Sequence, residues 1–367
     1  MFSESRQVTV QGGNFFAVDG DYNLNNQMIQ RTGIDILFES IAKGALYNSG
    51  ERFDPPKCHP KTRTAILKMI MEWVQYRDQL SPDFMWVHGP AGSGKSAIAQ
   101  SIAELCAALG LLLGTFFFSR SVPGRNNSKR LAATIAYQFS QSFSEARPLV
   151  GKAVEQNPAL LFLNLEAQLR ALITEPLSVA AFHIPPKPRL IIIDGLDECQ
   201  DPRAQTTIIH TFTQLVTVQK LPIIVLFSSR TEYCIREAFK NKVFDANLYR
   251  VALDNTLRRA DDDIREFLTS RFKAIRETHH MKYYIPETWP PSETIEELVK
   301  KSSGQFIYAS TIIKFVEAHG HRPPDRLNAV LGLRKVKNET PFSELDDLYK
   351  HILSTVEDYE LVSRILG

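Results

Sequence analysis

Short, mostly apolar stretches alternate with segments of helical periodicity between residues 84 and 253, and this alternation constrains the fold more than any other feature. The stretches are FMWVH, GTFFFS, RLIIID, PIIVLFSS and NLYRVAL. Strands with so few polar residues are typical of a parallel sheet that is covered on both faces. The helical segments between them can supply that cover. The sequence therefore predicts an α/β fold with a parallel sheet.

The strand pattern ends at about residue 256, and beyond it apolar residues recur only at helical spacing. This change predicts a domain boundary near residue 255. Helical periodicity is also present over residues 34–45 and 62–79, on either side of a stretch in which Pro55, Pro56 and Pro60 stop any helix. The helices expected after the boundary cover residues 257–278, 292–302, 305–318, 323–333 and 343–366.

Charge and cysteine content exclude several classes of function. The 367 residues carry a formal net charge of +2, a field too weak to favour nucleic acid or an acidic membrane as the main partner. The four cysteines form no metal-ligand spacing, so we expect neither zinc nor disulfides, and a cytoplasmic location. The N-terminus has no apolar core typical of a signal peptide, and the longest apolar stretch, residues 105–118, is too short to span a bilayer.

A glycine-rich motif joins the first strand to the helix that follows it. The sequence GPAGSGKS matches GxxxxGK[ST] in the context, strand before and helix after, that phosphate-binding loops require. Glycines let successive main-chain N–H groups point inwards, and the helix N-terminus adds its positive dipole end. Lys95 would reach the β- and γ-phosphates and the Ser96 hydroxyl would ligate Mg²⁺, whereas the alternative is a flexible turn with a surface lysine. The residues expected to bind a nucleotide are Gly89, Pro90, Ala91, Gly92, Ser93, Gly94, Lys95, Ser96 and Ala97.

Acidic residues mark the end of another predicted strand. In LIIIDGLDE, Asp194 is the last strand residue, and Asp197 and Glu198 follow it. Ligands of parallel sheets bind beyond the carboxyl ends of the strands, so these acids are expected to face the glycine-rich loop. Asp194 suits a magnesium site, and one of the other two acids could orient or deprotonate a water molecule. Taken alone, the motif could equally be a solvated turn.

A third strand, PIIVLFSS, ends in polar residues at the same predicted edge. Ser228 and Ser229 close the strand and Arg230 follows. An arginine here could contact a γ-phosphate and report its presence. Alternatively, it could pair with Glu232 or Asp254 and have a structural role only.

Together, GPAGSGKS, LIIIDGLDE and LFSSR resemble the NACHT branch of the STAND class of P-loop NTPases. The flanking sequences CHPKTR, RLAATIAYQFS and GQFIYASTIIKFVE resemble nephrocystin-3-like NACHT modules, and the resemblance covers roughly residues 34–360. It implies a five-stranded parallel core followed by an all-helical domain that packs over the nucleotide. It also implies a switch that is closed with a nucleoside diphosphate and self-associates with a triphosphate.

The resemblance also implies roles for single residues and boundaries for domains. Lys95 and Ser96 would hold the phosphates and magnesium, Asp194 would complete the metal site, Glu198 or Asp197 would act on water, and Arg230 would sense the γ-phosphate. The implied organisation is a leader with an N-terminal helix and proline-rich linker (1–60), a P-loop NTPase core (61–256), a helical domain (257–335) and the start of a truncated winged-helix arm (336–367).

Two hypotheses for function follow. The first is a slow ATPase or GTPase whose bound nucleotide controls self-association or association with other NACHT proteins. The second is a nucleotide-binding scaffold that does not hydrolyse, a truncated decoy of longer relatives. A small-molecule kinase or a motor is less favoured, because neither needs the DGLDE arrangement followed by an all-helical unit.

Overall fold

The computed structural model describes residues 31–52, 54–77, 80–180, 189–253, 257–332 and Tyr349. The expected leader over residues 1–30 lies outside the described residues. Apart from Tyr349, so does the segment that resembles a winged-helix arm.

The sheet has five parallel strands, in the order β2-β3-β4-β1-β5. Both the α/β class and the parallel, five-stranded sheet are therefore confirmed. Because β4 lies between β1 and β3, whatever follows β4 lies between the residues that follow β1 and those that follow β3. The strands are β1 (Phe84–His88), β2 (Leu112–Phe117), β3 (Arg189–Asp194), β4 (Ile223–Ser229) and β5 (Leu248–Ala252).

Strand β2 begins two residues earlier than the expected stretch GTFFFS. The apolar run that precedes Gly114 continues without a polar residue, so the sequence offers no mark for the boundary. The pairing of β2 with β3 also shifts register between Leu112 and Gly114. The shift leaves one extra residue in β2 between two pairs with consecutive residues of β3, as in a β-bulge.

Among the described residues, the helices predicted from periodicity agree with the structure to within about five residues, and the helix expected over residues 343–366 lies outside the described residues apart from Tyr349. Helices α1 and α2 precede the first strand, α3 to α9 lie between the strands, and α10 to α13 follow the last strand. The helices are α1 (Gly33–Ser40), α2 (Thr64–Gln75), α3 (Lys95–Ala108), α4 (Leu131–Ser142), α5 (Ala146–Gln156), α6 (Leu165–Leu169), α7 (Glu175–Ala180), α8 (Pro202–Thr217), α9 (Tyr233–Ala238), α10 (Leu257–Thr278), α11 (Ser292–Ser302), α12 (Phe306–Val316) and α13 (Pro323–Leu331).

The two faces of the sheet bury different side chains of the same strand. In β1, Phe84 and Trp86 belong to one hydrophobic core, which α1 and α4 to α9 complete. Met85 and Val87 belong to the core on the other face, which α2 and α3 cover. This division follows from the alternation of side chains along a strand. Both faces of the sheet are thus covered, and the polar residues of β3 and β4 lie at the strand ends.

Helices α10 to α13 share a separate hydrophobic core, and we refer to them as the helical unit. Its members include Leu268 and Phe272 of α10, Leu298 of α11, Ile312 of α12 and Leu327 of α13. Among the described residues, no helix has both the length and the apolar character needed to cross a membrane.

Replacing Phe227 of β4 by alanine should lower the free energy of unfolding by about 3–5 kcal/mol. The ring is fully buried, and its centroid lies 6.5, 6.3 and 5.6 Å from those of Phe84, Phe212 and Phe239. Denaturant unfolding measures the loss. The control Phe162→Ala removes a ring that is 89% exposed and should cost less than about 0.5 kcal/mol. A loss below about 1 kcal/mol for Phe227→Ala would contradict a central β4.

Candidate phosphate-binding site

The glycine-rich loop leaves β1 after His88 and enters α3 at Lys95. Gly92 and Gly94 have φ angles of +74° and +90°, in the left-handed region that side chains rarely adopt. A Cβ built on Gly94 would meet no atom within 4 Å. There is therefore room at Gly94 for a ligand to come close to the main chain, at the N-terminus of a helix of 14 residues.

The ammonium group of Lys95 lies against its own loop. Nζ donates hydrogen bonds to the carbonyl oxygens of Gly89, at 2.9 Å, and Pro90, at 2.7 Å. Burial lowers the pKa of Lys95, and the nearby charges of Asp197 and Asp194 oppose that shift. The side chain is thus placed between the loop and the acids at the end of β3.

Asp194 is buried at the end of β3, where the sequence predicted a metal ligand. Its Oδ1 accepts a hydrogen bond of 2.6 Å from the Ser228 hydroxyl, and the Ser96 hydroxyl also hydrogen-bonds to the carboxylate. Burial raises the pKa of Asp194, while these hydrogen bonds and the charges of Arg52 and Lys95 oppose the rise. The structure therefore brings both expected magnesium ligands, Ser96 and Asp194, into contact.

Arg230 pairs with Asp197, a partner that the sequence did not indicate. The Arg230 main-chain N–H donates to Oδ1 of Asp197 at 2.9 Å, and Nε lies 3.2 Å from Oδ2. Of the two partners considered from sequence, Glu232 lies instead 3.8 Å from Arg120, and Asp254 is outside the described residues. Only 3% of the Asp197 side chain is exposed, against 49% for Arg230. Both carboxylate oxygens of Asp197 are therefore occupied by one arginine.

Glu198 follows Asp197 and is held through one carboxylate oxygen by the main chain of another loop. Its Oε2 accepts a hydrogen bond of 3.1 Å from the main-chain N–H of Arg120. Burial raises the pKa of Glu198, and the neighbouring Asp197 and Asp194 raise it further. A raised pKa makes this carboxylate a stronger base than an exposed glutamate.

A cavity of about 290 Å³ lies over the loop and the acids. Three parts of the chain enclose it: the segment before α2, the carboxyl edge of the sheet and the helical unit. The lining includes Ala91, Gly92, Gly94, Lys95, Ser96 and Ala97 of the loop, Asp197, Glu198, Ser228 and Arg230 of the strand ends, Pro56, Cys58, His59 and Arg63 before α2, and Phe267, Phe306 and Ile307 of the helical unit. Gly89, Pro90 and Ser93 belong to the loop but do not line the cavity.

The residues before α2 were expected to be a linker, yet they form a wall of the cavity. The ring of His59 packs edge-on against Phe267, with 5.5 Å between the centroids, and its Nε2 lies 3.3 Å from the Ser270 hydroxyl. The main-chain N–H of Cys58 donates to the Ser101 hydroxyl of α3. The motif CHPKTR marked this stretch in the sequence, but nothing in it indicated contacts with helices two hundred residues away.

The helical unit touches the glycine-rich loop directly. The main-chain N–H of Ile307, in α12, donates a hydrogen bond of 3.3 Å to the Gly92 carbonyl. A Cβ on Gly92 would lie 2.3 Å from Cγ2 of Ile307, so a side chain at residue 92 would displace α12. Glycine is therefore needed at this position both for its φ angle and for the close packing.

Residues 62–230 match the family described as Nephrocystin 3, N-terminal. This segment contains the glycine-rich loop, the acids after β3 and Arg230. No curated protein shows a significant match to the chain.

Several solved structures are similar to the chain at low sequence identity. PCH-2 from C. elegans is 12% identical with a TM-score of 0.38, over 79% of this chain and 69% of that one. Drosophila ORC bound to DNA is 13% identical with a TM-score of 0.37, over 69% of this chain and 54% of that one. The FIGL-1 AAA domain in complex with ADP is 14% identical with a TM-score of 0.37, over 90% of this chain and 94% of that one.

Replacing Asp197 by alanine should destabilise the protein more than replacing Arg230 by alanine. Arg230→Ala keeps the hydrogen bond from the main chain of residue 230 to Asp197, whereas Asp197→Ala removes both contacts. We expect losses of about 2–4 kcal/mol for Asp197→Ala and about 1 kcal/mol for Arg230→Ala in denaturant unfolding. Arg236→Ala, in an exposed pair with Glu237, is the control and should change little. An equal or larger loss for Arg230→Ala would show that the side-chain pair dominates.

Proposed function

We propose that this chain binds ATP or GTP with Mg²⁺ at the cavity over the glycine-rich loop and hydrolyses it slowly. The observation that carries the proposal is the meeting of three strand ends at one place. Gly94 leaves open space for a phosphate, Lys95 lies beside that space, and the Ser96 hydroxyl touches the Asp194 carboxylate. Each part alone is compatible with a structural turn, whereas their convergence favours a polyanion with a metal ion.

The main-chain N–H groups of residues 91–97 would bind the phosphates, and Lys95 would exchange its two carbonyl contacts for phosphate oxygens. Ser96 and Asp194 fit a magnesium ion because a hydroxyl and a carboxylate are the hard oxygen donors that this ion prefers. When bound, Mg²⁺ would neutralise charge on the phosphate oxygens. Burial of Asp194 fits this role, because a cation at its carboxylate would stabilise the ionised form.

For hydrolysis, Glu198 would hold and deprotonate the attacking water. Its raised pKa suits a base that works near neutral pH. Asp197 would position Arg230, whose half-exposed guanidinium would exchange its pairing with Asp197 for a γ-phosphate while the main chain of Arg230 stays bonded to Asp197. Catalysis of this kind depends on position and charge, and turnover is expected to be slow.

We further infer that the protein is a NACHT-type signalling switch. In this proposal residues 61–256 form the nucleotide-binding core and residues 257–335 the helical domain, and the bound nucleotide controls self-association or association with other NACHT proteins. The contact of α12 with the glycine-rich loop supports such coupling, since a change in the loop reaches the helical unit without an intermediary. The described cysteines are all free, which supports a reducing compartment such as the cytoplasm.

Replacing Lys95 by alanine should weaken binding of ATP and GTP by about 100-fold or more, because its ammonium group lies against the loop and would pair with the phosphates. Titration calorimetry with Mg²⁺ present measures this. Because Lys95 also lies near the buried carboxylates of Asp197 and Asp194, circular dichroism and the melting temperature are measured in parallel to show that the variant is folded. The control is Lys61→Ala, a lysine whose side chain is 80% exposed. An unchanged affinity of the Lys95→Ala variant would contradict the proposal that the nucleotide binds at the glycine-rich loop.

Replacing Glu198 by glutamine should leave nucleotide affinity within about threefold and lower the rate of phosphate release by about 100-fold or more. Glutamine keeps the acceptor for the Arg120 N–H but cannot take a proton from water. The matched control is Glu232→Gln, which changes a carboxylate that lies near Arg120 but does not line the cavity, and this variant should retain the rate of phosphate release. If the wild-type protein binds nucleotide tightly and releases no phosphate, the result would contradict hydrolysis and support the hypothesis of a non-hydrolysing scaffold.

A further inference from the structure

Arg63 is the last residue of the segment before α2, and its backbone conformation is unusual. Its φ angle of +54° lies in the left-handed region, directly before α2 begins at Thr64. The side chain is 3% exposed. A long charged side chain is rarely so deeply buried unless it has defined partners.

The Arg63 guanidinium contacts three separate elements. Nη2 donates a hydrogen bond of 3.1 Å to the Ser93 carbonyl in the glycine-rich loop. Nε lies 3.8 Å from Oδ2 of Asp263 in α10, and the guanidinium lies over the ring of Phe306 in α12, 5.0 Å from its centroid. One side chain therefore touches the loop and two helices of the helical unit.

The bond to Ser93 fixes the direction of the next N–H group. In a trans peptide the carbonyl of residue 93 and the N–H of Gly94 point in opposite directions. While Arg63 holds the carbonyl, the Gly94 N–H faces the other way, and the space around Gly94 is open. If this peptide rotated, a carbonyl oxygen instead of an N–H could turn towards a phosphate and repel it.

Other charged pairs join the same segment to the helical unit, but they are exposed. Lys61 lies 3.5 Å from Glu266 and Lys314 lies 2.8 Å from Asp54, and both lysine side chains are at least 65% exposed. Exposed pairs of this kind contribute little to stability, because solvent screens them. In contrast, the Arg63 side chain is buried where the segment before α2 meets the helical unit. Removing it would take away the hydrogen bond that its guanidinium donates to the Ser93 carbonyl.

We propose that Arg63 is a positioning residue that couples the conformation of the phosphate-binding loop to the docking of the helical unit. The inference rests on the proposed function. A nucleotide that orders the loop would hold the Ser93 carbonyl in place for Arg63 and thereby strengthen the contacts of Arg63 with α10 and α12. By thermodynamic reciprocity, a docked helical unit would raise the affinity for the nucleotide.

The test combines nucleotide affinity with amide hydrogen exchange in α12. In the wild-type protein, ADP or GDP with Mg²⁺ should slow exchange over residues 306–316. Arg63→Ala should raise the Kd about tenfold and abolish the slowing, and Arg63→Lys, which keeps a donor for Ser93, should recover part of the affinity. Lys61→Ala, two residues away and exposed, is the matched control and should behave as wild type.

Asp263→Asn tests the coupling from the other side and does not depend on Arg63→Ala folding well. Its carboxylate lies on α10, outside the loop, so this variant should lose most of the exchange response in α12 and, by reciprocity, only the part of the affinity that comes from the coupling, a rise in Kd of about threefold compared with about tenfold for Arg63→Ala. A full α12 response in both Arg63→Ala and Asp263→Asn would overturn the coupling while leaving the nucleotide site intact. Failure of the wild-type protein to bind ATP and GTP as well as ADP and GDP would instead remove the proposed function and the coupling together.

Discussion

The parallel alignment of β1, β4 and β3 is the constraint on which the site depends. Backbone pairing fixes the register of these strands, for example Val87 with Ser228 and Ile193 with Phe227. Their carboxyl ends therefore stop at the same level, and the residues that follow each strand share one edge. No hydrogen bond among the side chains could bring the loop and the acids together if this register slipped by one residue, because every side chain would then change face.

Burial of charge is the second constraint, and it follows from the first. Asp194 and Asp197 lie almost wholly out of solvent at a position where water cannot compensate them. Their compensation comes from hydroxyl and main-chain donors and from the positive charges of Lys95, Arg52 and Arg230. Arg52 itself packs on the Phe117 ring, 3.8 Å from its centroid, and burial lowers its pKa to about 10. The edge of the sheet is thus a balanced set of opposite charges rather than a purely acidic or basic surface.

Local patterns were sufficient to predict the fold and the three strand ends, because apolar strands and a glycine-rich loop depend on neighbouring residues only. Residues 84–88 and 189–194 are strands at the predicted bounds, and the loop leads into α3 as expected. The partner of Arg230 could not be predicted, since Asp197 lies on another strand end and Glu232 was nearer in sequence. The contacts of Arg63 and His59 with α10 and α12 could likewise not be predicted from the sequence, because they join residues about two hundred positions apart. Periodicity identifies which face of a helix is buried but not which distant helix it meets.

The two carbonyl contacts of Lys95 have a consequence for the exchange of ligands. An ammonium group without a hydrogen-bond acceptor inside a cavity has an unfavourable free energy. A lysine with no other acceptors would therefore slow the dissociation of a bound anion. Here Gly89 and Pro90 offer acceptors within the same loop, and the cation can move from one set of oxygens to the other by rotating its side chain. If a nucleotide binds as proposed, the loop therefore lowers the free-energy cost of its dissociation, because the charge of Lys95 returns to acceptors within the loop.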